Sequence, residues 1–135
     1  MPVAGTLRAI ARDDTLHDRV GGLPFFVSLV ERFYEAVERD PTLRPLYPAD
    51  LAPGKANLAE FLAQYWGGPH TYSERRGHPR LRMRHFAFPI GTRERDAWVG
   101  HMTAAVRASD ASPADAGELV AYFEAASAML VNQGA

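Results

Sequence analysis

Residues 23–39 carry an apolar stripe that only a helix can gather on one side. Phe26, Val30, Phe33 and Val37 recur at helical spacing, and Phe25, Leu29 and Tyr34 widen the stripe. At 3.6 residues per turn these side chains share a face, whereas a strand would scatter them over two. A face this wide must be covered by other helices. The rest of the chain supplies them. Thr15–Val20 reads as a short helix stopped by Gly21-Gly22, and Asp40-Pro41 as a cap and first-turn proline for a turn reaching about Leu46. Pro48 and Pro53-Gly54 break the chain. Lys55–Trp66 follows as a helix with Leu58, Phe61, Leu62 and Tyr65 on one face, ended by Gly67-Gly68-Pro69. His70–Pro79 reads as a polar loop and Arg80–His85 as a short turn. Thr92 can cap a helix to about Ser109, with Trp98, Met102, Ala105 and Val106 inward. Ser112-Pro113-Ala114-Asp115 opens a last helix to about Val131, on Leu119, Tyr122, Phe123, Ala126, Met129 and Leu130. No run reads as a strand, so the expected class is all-α on one core.

Several kinds of chemistry are excluded early. The chain has 135 residues, one domain's worth, and no cysteine, which removes thiolate catalysis, disulfides and Cys-held metal sites. A net charge of −1 argues against nucleic acid as the main partner. No apolar run approaches the ~18 residues that would read as an integral membrane segment. Met1–Arg12 has no leader-type apolar core and cleavage site, so a cytoplasmic protein is expected. Of the 15 basic residues 14 are Arg, whose planar forks suit carboxylates.

The five histidines (His17, His70, His78, His85 and His101) form no HExxH or similar cluster. A lone histidine is more often a hydrogen-bonded structural residue than a ligand. No glycine-rich phosphate loop and no GxSxG elbow is present. Tyr34, Tyr47 and Trp98 fall where core is expected, and each has a donor that needs a partner if buried. They read either as large core residues with tips at the surface or as the lining of a polar-tipped pocket. The stretch Gly77-His78-Pro79-Arg80-Leu81-Arg82-Met83-Arg84-His85-Phe86 reads either as a solvated basic loop or as a histidine aimed at a pocket beneath an arginine rim.

Taken with Val20-Gly21-Gly22, Arg32-Phe33-Tyr34, Leu46-Tyr47-Pro48, Phe61 through Pro69, Tyr72 through His85, Glu94 through Trp98 and Leu130-Val131-Asn132, the sequence resembles the truncated haemoglobins of group II. The resemblance covers about residues 14–132. It divides the chain into an N-terminal extension, residues 1–13, and a truncated globin domain, residues 14–135. It implies a globin-like, two-over-two helical sandwich binding haem b (iron protoporphyrin IX).

By position, His85 matches the proximal iron ligand, the only metal-binding residue implied. Tyr34, Tyr47 and Trp98 match the distal polar residues that stabilise a bound ligand, and Trp98 is the mark of group II. Gly54 falls where many globins place a distal histidine, and it leaves room for a ligand to reach the iron. Leu58 matches the apolar residue over the iron, with Phe33 and Phe61 packing the haem. Tyr72 should donate to a propionate, with Arg75, Arg80 and Arg84 as ionic partners. Asn57 stands where relatives often carry a basic residue, which weakens one propionate contact or routes it through water. Lys55 lies on another face. The function implied is binding of O₂, and of CO and NO, at a histidine-ligated iron. The alternative is redox chemistry on bound O₂ or peroxide, either nitric oxide dioxygenation or peroxidase-like turnover, with an external reductase. A cofactor-free helical interaction module is the remote alternative.

Overall fold

The structure is a computed structural model and describes residues 15–76, 90–129 and 131. Among these residues every regular element is helical: α1 (Leu16–Val20), α2 (Leu23–Arg39), a 3₁₀ turn (Arg44–Leu46), α3 (Ala52–Tyr65), α4 (Thr71–Arg76), α5 (Thr92–Arg107) and α6 (Pro113–Ala128). The stripe on α2 does what its spacing demands, burying Phe26, Leu29, Val30, Phe33, Tyr34 and Val37. α2 packs against both α3 and α5, and α5 packs against α6. The long helices thus form two pairs laid across each other, the expected two-over-two sandwich. Met102, Ala105, Val106, Leu119 and Phe123 close the core from the second pair.

α1 is tied to the end of α3. The Thr15 hydroxyl caps it by accepting from the Asp18 amide, and the His17 amide donates to the Trp66 carbonyl at 3.1 Å. Gly67 makes this junction. Its φ of +109° favours glycine, and a Cβ there would lie 2.7 Å from the Thr15 methyl.

Several boundaries differ from the sequence expectation. Pro53-Gly54 does not break the chain but lies inside α3, because a first-turn proline sacrifices no helical hydrogen bond. Part of the expected polar loop is α4, docked by a reciprocal pair in which Ser73 N–H donates to Gln64 Oε1 (2.9 Å) and Gln64 Nε2 to Ser73 Oγ (2.7 Å). Asp40 both ends α2 and caps the expected turn, its Oδ1 accepting from the Thr42 amide and its carbonyl from the Arg44 amide, each at 2.8 Å; the turn closes as 3₁₀ over Arg44–Leu46. Gly91 is the cap residue of α5, its N–H satisfied by the Glu94 carboxylate at 2.8 Å, so Thr92 is already helical. α6 stops at Ala128, which leaves Met129 exposed rather than inward. Tyr65, on the last turn of α3, is also exposed. Asp115, in the first turn of α6, is buried, and its Oδ1 accepts from Arg19 Nε at 2.9 Å.

Candidate functional site

Two helices and one corner bring the polar-tipped aromatics together. α2 carries Phe33 and Tyr34 at adjacent positions, α5 carries Trp98, and the 3₁₀ turn ends on Tyr47. Their rings meet edge to face: Trp98 with Phe33 at 5.2 Å, Phe33 with Tyr34 at 5.5 Å, and Tyr34 with Tyr47 at 5.6 Å between centroids. Edge-to-face contact is the geometry that ring quadrupoles favour.

The hydroxyls sit in a poorly solvated setting. Burial pushes the Tyr34 phenol up to about 12. It pushes Tyr47 further still, reinforced by the nearness of Tyr34, while a hydrogen bond with Trp98 acts in the opposite direction. Both phenols are therefore neutral donors at any physiological pH. Gly54 adds a close approach, because a Cβ there would lie 2.8 Å from the Tyr34 hydroxyl oxygen. The opening expected beside this glycine is filled by that hydroxyl.

The corner bearing Tyr47 is held by a residue the sequence reading missed. Arg44 Nη1 donates to the carbonyls of Tyr47 (3.2 Å) and Pro48 (3.0 Å), and Nη2 to that of Ala49 (3.2 Å). One planar fork thus fixes three successive peptides. A signal existed: Pro48 lacks an N–H, so backbone bonding cannot run on past Tyr47, and the carbonyls of the corner need a side-chain donor.

The remaining expected residues divide. Phe61 is buried and Leu58 packs half-buried on the core, both on α3 beside Gly54. Tyr72 is buried, its ring edge-on to Phe61 at 5.4 Å. Arg75 is already engaged: Nε donates to Glu60 Oε1 and Nη2 to Asn57 Oδ1, each at 2.9 Å. Asn57 and Arg75 therefore act as one unit. Lys55 faces Glu31 of α2, 3.4 Å away, as its position implied. Arg80, Arg84 and His85 lie outside the described residues, as do residues 1–13 and His78. Of the other histidines, His17 and His101 are paired with Asp18 (2.9 Å) and Asp40 (2.7 Å), the structural role that a lone histidine usually has. No cluster of possible metal ligands occurs among the described residues, and no described helix is long and apolar enough to cross a membrane.

Neutral donors set in an apolar, aromatic wall, with the Tyr34 hydroxyl seated against Gly54 of the facing helix, suit a flat apolar group carrying a small polarised ligand. Aromatic faces pack the first, and phenol and indole tips bond the second.

Fold and site together define a small two-over-two globin. The chain belongs to the bacterial-like globin family, which matches residues 15–132. It is 47% identical over 74 residues to a group 2 truncated haemoglobin of Bacillus subtilis, a stretch covering 55% of this chain and 56% of that protein. It is 39% identical over 107 residues to a group 2 truncated haemoglobin of Lotus japonicus, covering 77% and 64%. The chain thus spans between half and two thirds of the length of these curated relatives. Its fold is also similar to the X-ray structure of a thermostable haemoglobin from Thermobifida fusca, at 50% identity and a TM-score of 0.87, covering 90% of this chain and 99% of that one. Globin membership implies a haem cofactor.

Proposed function

We propose that residues 14–135 form a haem b protein that binds O₂, and also CO and NO, with His85 as the protein ligand to the iron. Bound haem would supply an iron centre at which diatomic ligands are held. The chain's own part is to fix the group and to bond the ligand. Tyr34 and Tyr47 present donors to it, and Trp98 does so by exchanging its indole N–H bond with Tyr47 for one to the ligand. Leu58, Phe33 and Phe61 give the apolar wall, and Tyr72, Arg75, Arg80 and Arg84 take the propionates. With Arg75 bonded to Asn57 and Glu60, its share is weaker than a free arginine's would be. The setting expected is cytoplasmic.

The observation that carries this reading is the convergence of three buried or half-buried donors on one aromatic wall, with Gly54 giving way to Tyr34. A hydrogen bond to a ligand with superoxide-like charge is worth about 1.5–3 kcal/mol. Two or three such bonds would slow O₂ release by orders of magnitude. That same retention favours the second reading, redox chemistry on O₂ or peroxide with an external reductase.

The test is haem reconstitution followed by absorption spectroscopy. Wild type should show the spectrum of a histidine-ligated haem in ferric, ferrous and CO forms. His85→Ala should lose normal retention, whereas His70→Ala and His78→Ala should keep it. An unchanged spectrum and haem content in His85→Ala would overturn the ligand assignment.

A further inference from the structure

The aromatic residues do not stop at the pocket wall. Trp98 touches Phe33 on one side and Phe123 on the other, at 5.7 Å. Phe123 in turn meets Trp66 at 6.0 Å and Tyr122 at 5.5 Å. Trp66, Tyr122 and Tyr65 then form a closed triangle, with centroids 4.8, 4.3 and 4.9 Å apart. A second arm reaches the same point from Tyr72 through Phe61, at 5.4 and 6.3 Å. Both arms end on Tyr65, which is 53% exposed.

We propose that this ring chain makes Tyr65 a surface site of one-electron oxidation, serving phenolic reductants too bulky to enter the pocket. The proposal rests on the haem reading above and adds a peroxide as the oxidant. Tryptophan and tyrosine are the side chains of this set that give up an electron readily, and Phe123 and Phe61 bridge them. Electron tunnelling falls steeply with distance, so a series of touching rings outruns one long jump. The exposed Tyr65 phenol can release its proton to water as it is oxidised. Burial pushes the Tyr122 phenol up to about 12, so that neighbour holds its proton and passes the oxidation outward.

The balance is closed. Reducing one H₂O₂ to two waters takes two electrons and two protons. Each electron leaves a Tyr65 phenol, which forms its neutral radical as its proton goes to water. A phenolic donor then breaks its own O–H bond and restores Tyr65 O–H, leaving a phenoxyl radical. The sum is H₂O₂ + 2 ArOH → 2 H₂O + 2 ArO•. Without a donor, two tyrosyl radicals couple through a ring C–C bond, and each displaced ring hydrogen moves to its own phenolic oxygen, so the only two hydrogens lost are those given up when the radicals formed. This gives a dityrosine that contains Tyr65, joined to Tyr122 or to a second copy of the chain.

The test treats the haem-reconstituted protein with H₂O₂, without and then with a phenol anchored to a polymer. The readouts are the tyrosyl radical by electron paramagnetic resonance and the cross-linked peptide by mass spectrometry. Wild type should show both signals, and the anchored phenol should suppress the cross-link. Tyr65→Phe should keep the haem spectrum and lose the Tyr65 cross-link and the oxidation of the anchored phenol. Tyr122→Phe should keep the Tyr65 radical, because Trp66 still touches that ring. A normal haem spectrum with no cross-link at Tyr65 in wild type, or an unchanged radical and unchanged phenol oxidation in Tyr65→Phe, would overturn the relay alone. Failure to take up haem at all would overturn the pocket reading and the relay with it.

Discussion

The hydroxyl oxygen of Tyr34 occupies the space that a Cβ on residue 54 would need, 2.8 Å from where that carbon would sit. Tyr34 is on α2 and Gly54 in the first turn of α3, so one missing methyl group lets the Tyr34 hydroxyl close against the facing helix. Tyr34 cannot easily retreat, being buried between Phe33 and Tyr47. Gly54→Ala should therefore cost about 1–3 kcal/mol through overpacking, even though alanine is the better helix former. In the Tyr34→Phe background the same change should be neutral or stabilising, because the hydroxyl is gone. Urea unfolding of the two single variants and the double variant checks this. An equal cost of Gly54→Ala in both backgrounds would mean that Tyr34 is not what the methyl meets.

How much of this was legible beforehand differs by element. The α2 stripe was, because seven apolar residues at helical spacing leave no other arrangement. So was the identity of the aromatics, since Tyr34, Tyr47 and Trp98 fall on inward positions. Their mutual contacts were not, because which rings meet depends on how α2, α5 and the 3₁₀ corner cross. Pro53-Gly54 looked like a break because proline both stops and starts helices, and its meaning depends on which side the hydrogen bonds lie. α4 was hidden because all of its six residues but Tyr72 are polar and its docking hydrogen bonds come from Gln64, seven residues upstream of its first residue.

Arg44 should prove a positioning residue for Tyr47. Its guanidinium bonds three consecutive carbonyls, so Arg44→Ala frees the corner that aims the phenol. The expected cost is about 1–2 kcal/mol of stability, since partly exposed carbonyls recover water. O₂ release should quicken to the same extent as in Tyr47→Phe, and the double variant should be no faster than either. Arg44→Lys should not rescue, because an ammonium lacks the planar fork that spans three peptides. Stopped-flow O₂ dissociation on wild type and these four variants decides. Additive effects would place Arg44 outside the Tyr47 pathway.

Trp98→Phe keeps the ring contacts with Phe33 and Phe123 and removes the indole donor. O₂ release should accelerate by roughly tenfold or more, each ~1.4 kcal/mol being a factor of ten. CO, a less polar ligand, should respond less. Equal acceleration of both ligands would make Trp98 a steric gate. The same kinetics on Tyr34→Phe, Tyr47→Phe and their double variant test the pair. Groups in one buried network couple by ~0.5–3 kcal/mol, while independent ones add to within about 0.5.

The buried phenols also set an alkaline limit on stability. The Tyr34 phenol is raised by burial from 10.0 to about 12 in the folded chain. Between those values the folded state keeps a proton that the unfolded state has lost, so unfolding releases it and becomes easier as pH rises. The stabilising contribution is thus complete below pH 10.0, declines through the interval, and is gone above about 12. At 1.36 kcal/mol per unit, the decline attributable to Tyr34 is about 2–3 kcal/mol. Tyr122, raised in the same way, and Tyr47 steepen the same slope. Tyr34→Phe removes one of these groups, so its stability should fall less over the interval than that of wild type. Urea unfolding at the two ends of the interval, followed by far-ultraviolet circular dichroism, measures the difference. A gap between wild type and variant that stays constant with pH would show that Tyr34 titrates alike folded and unfolded, and that its hydroxyl is not held away from water.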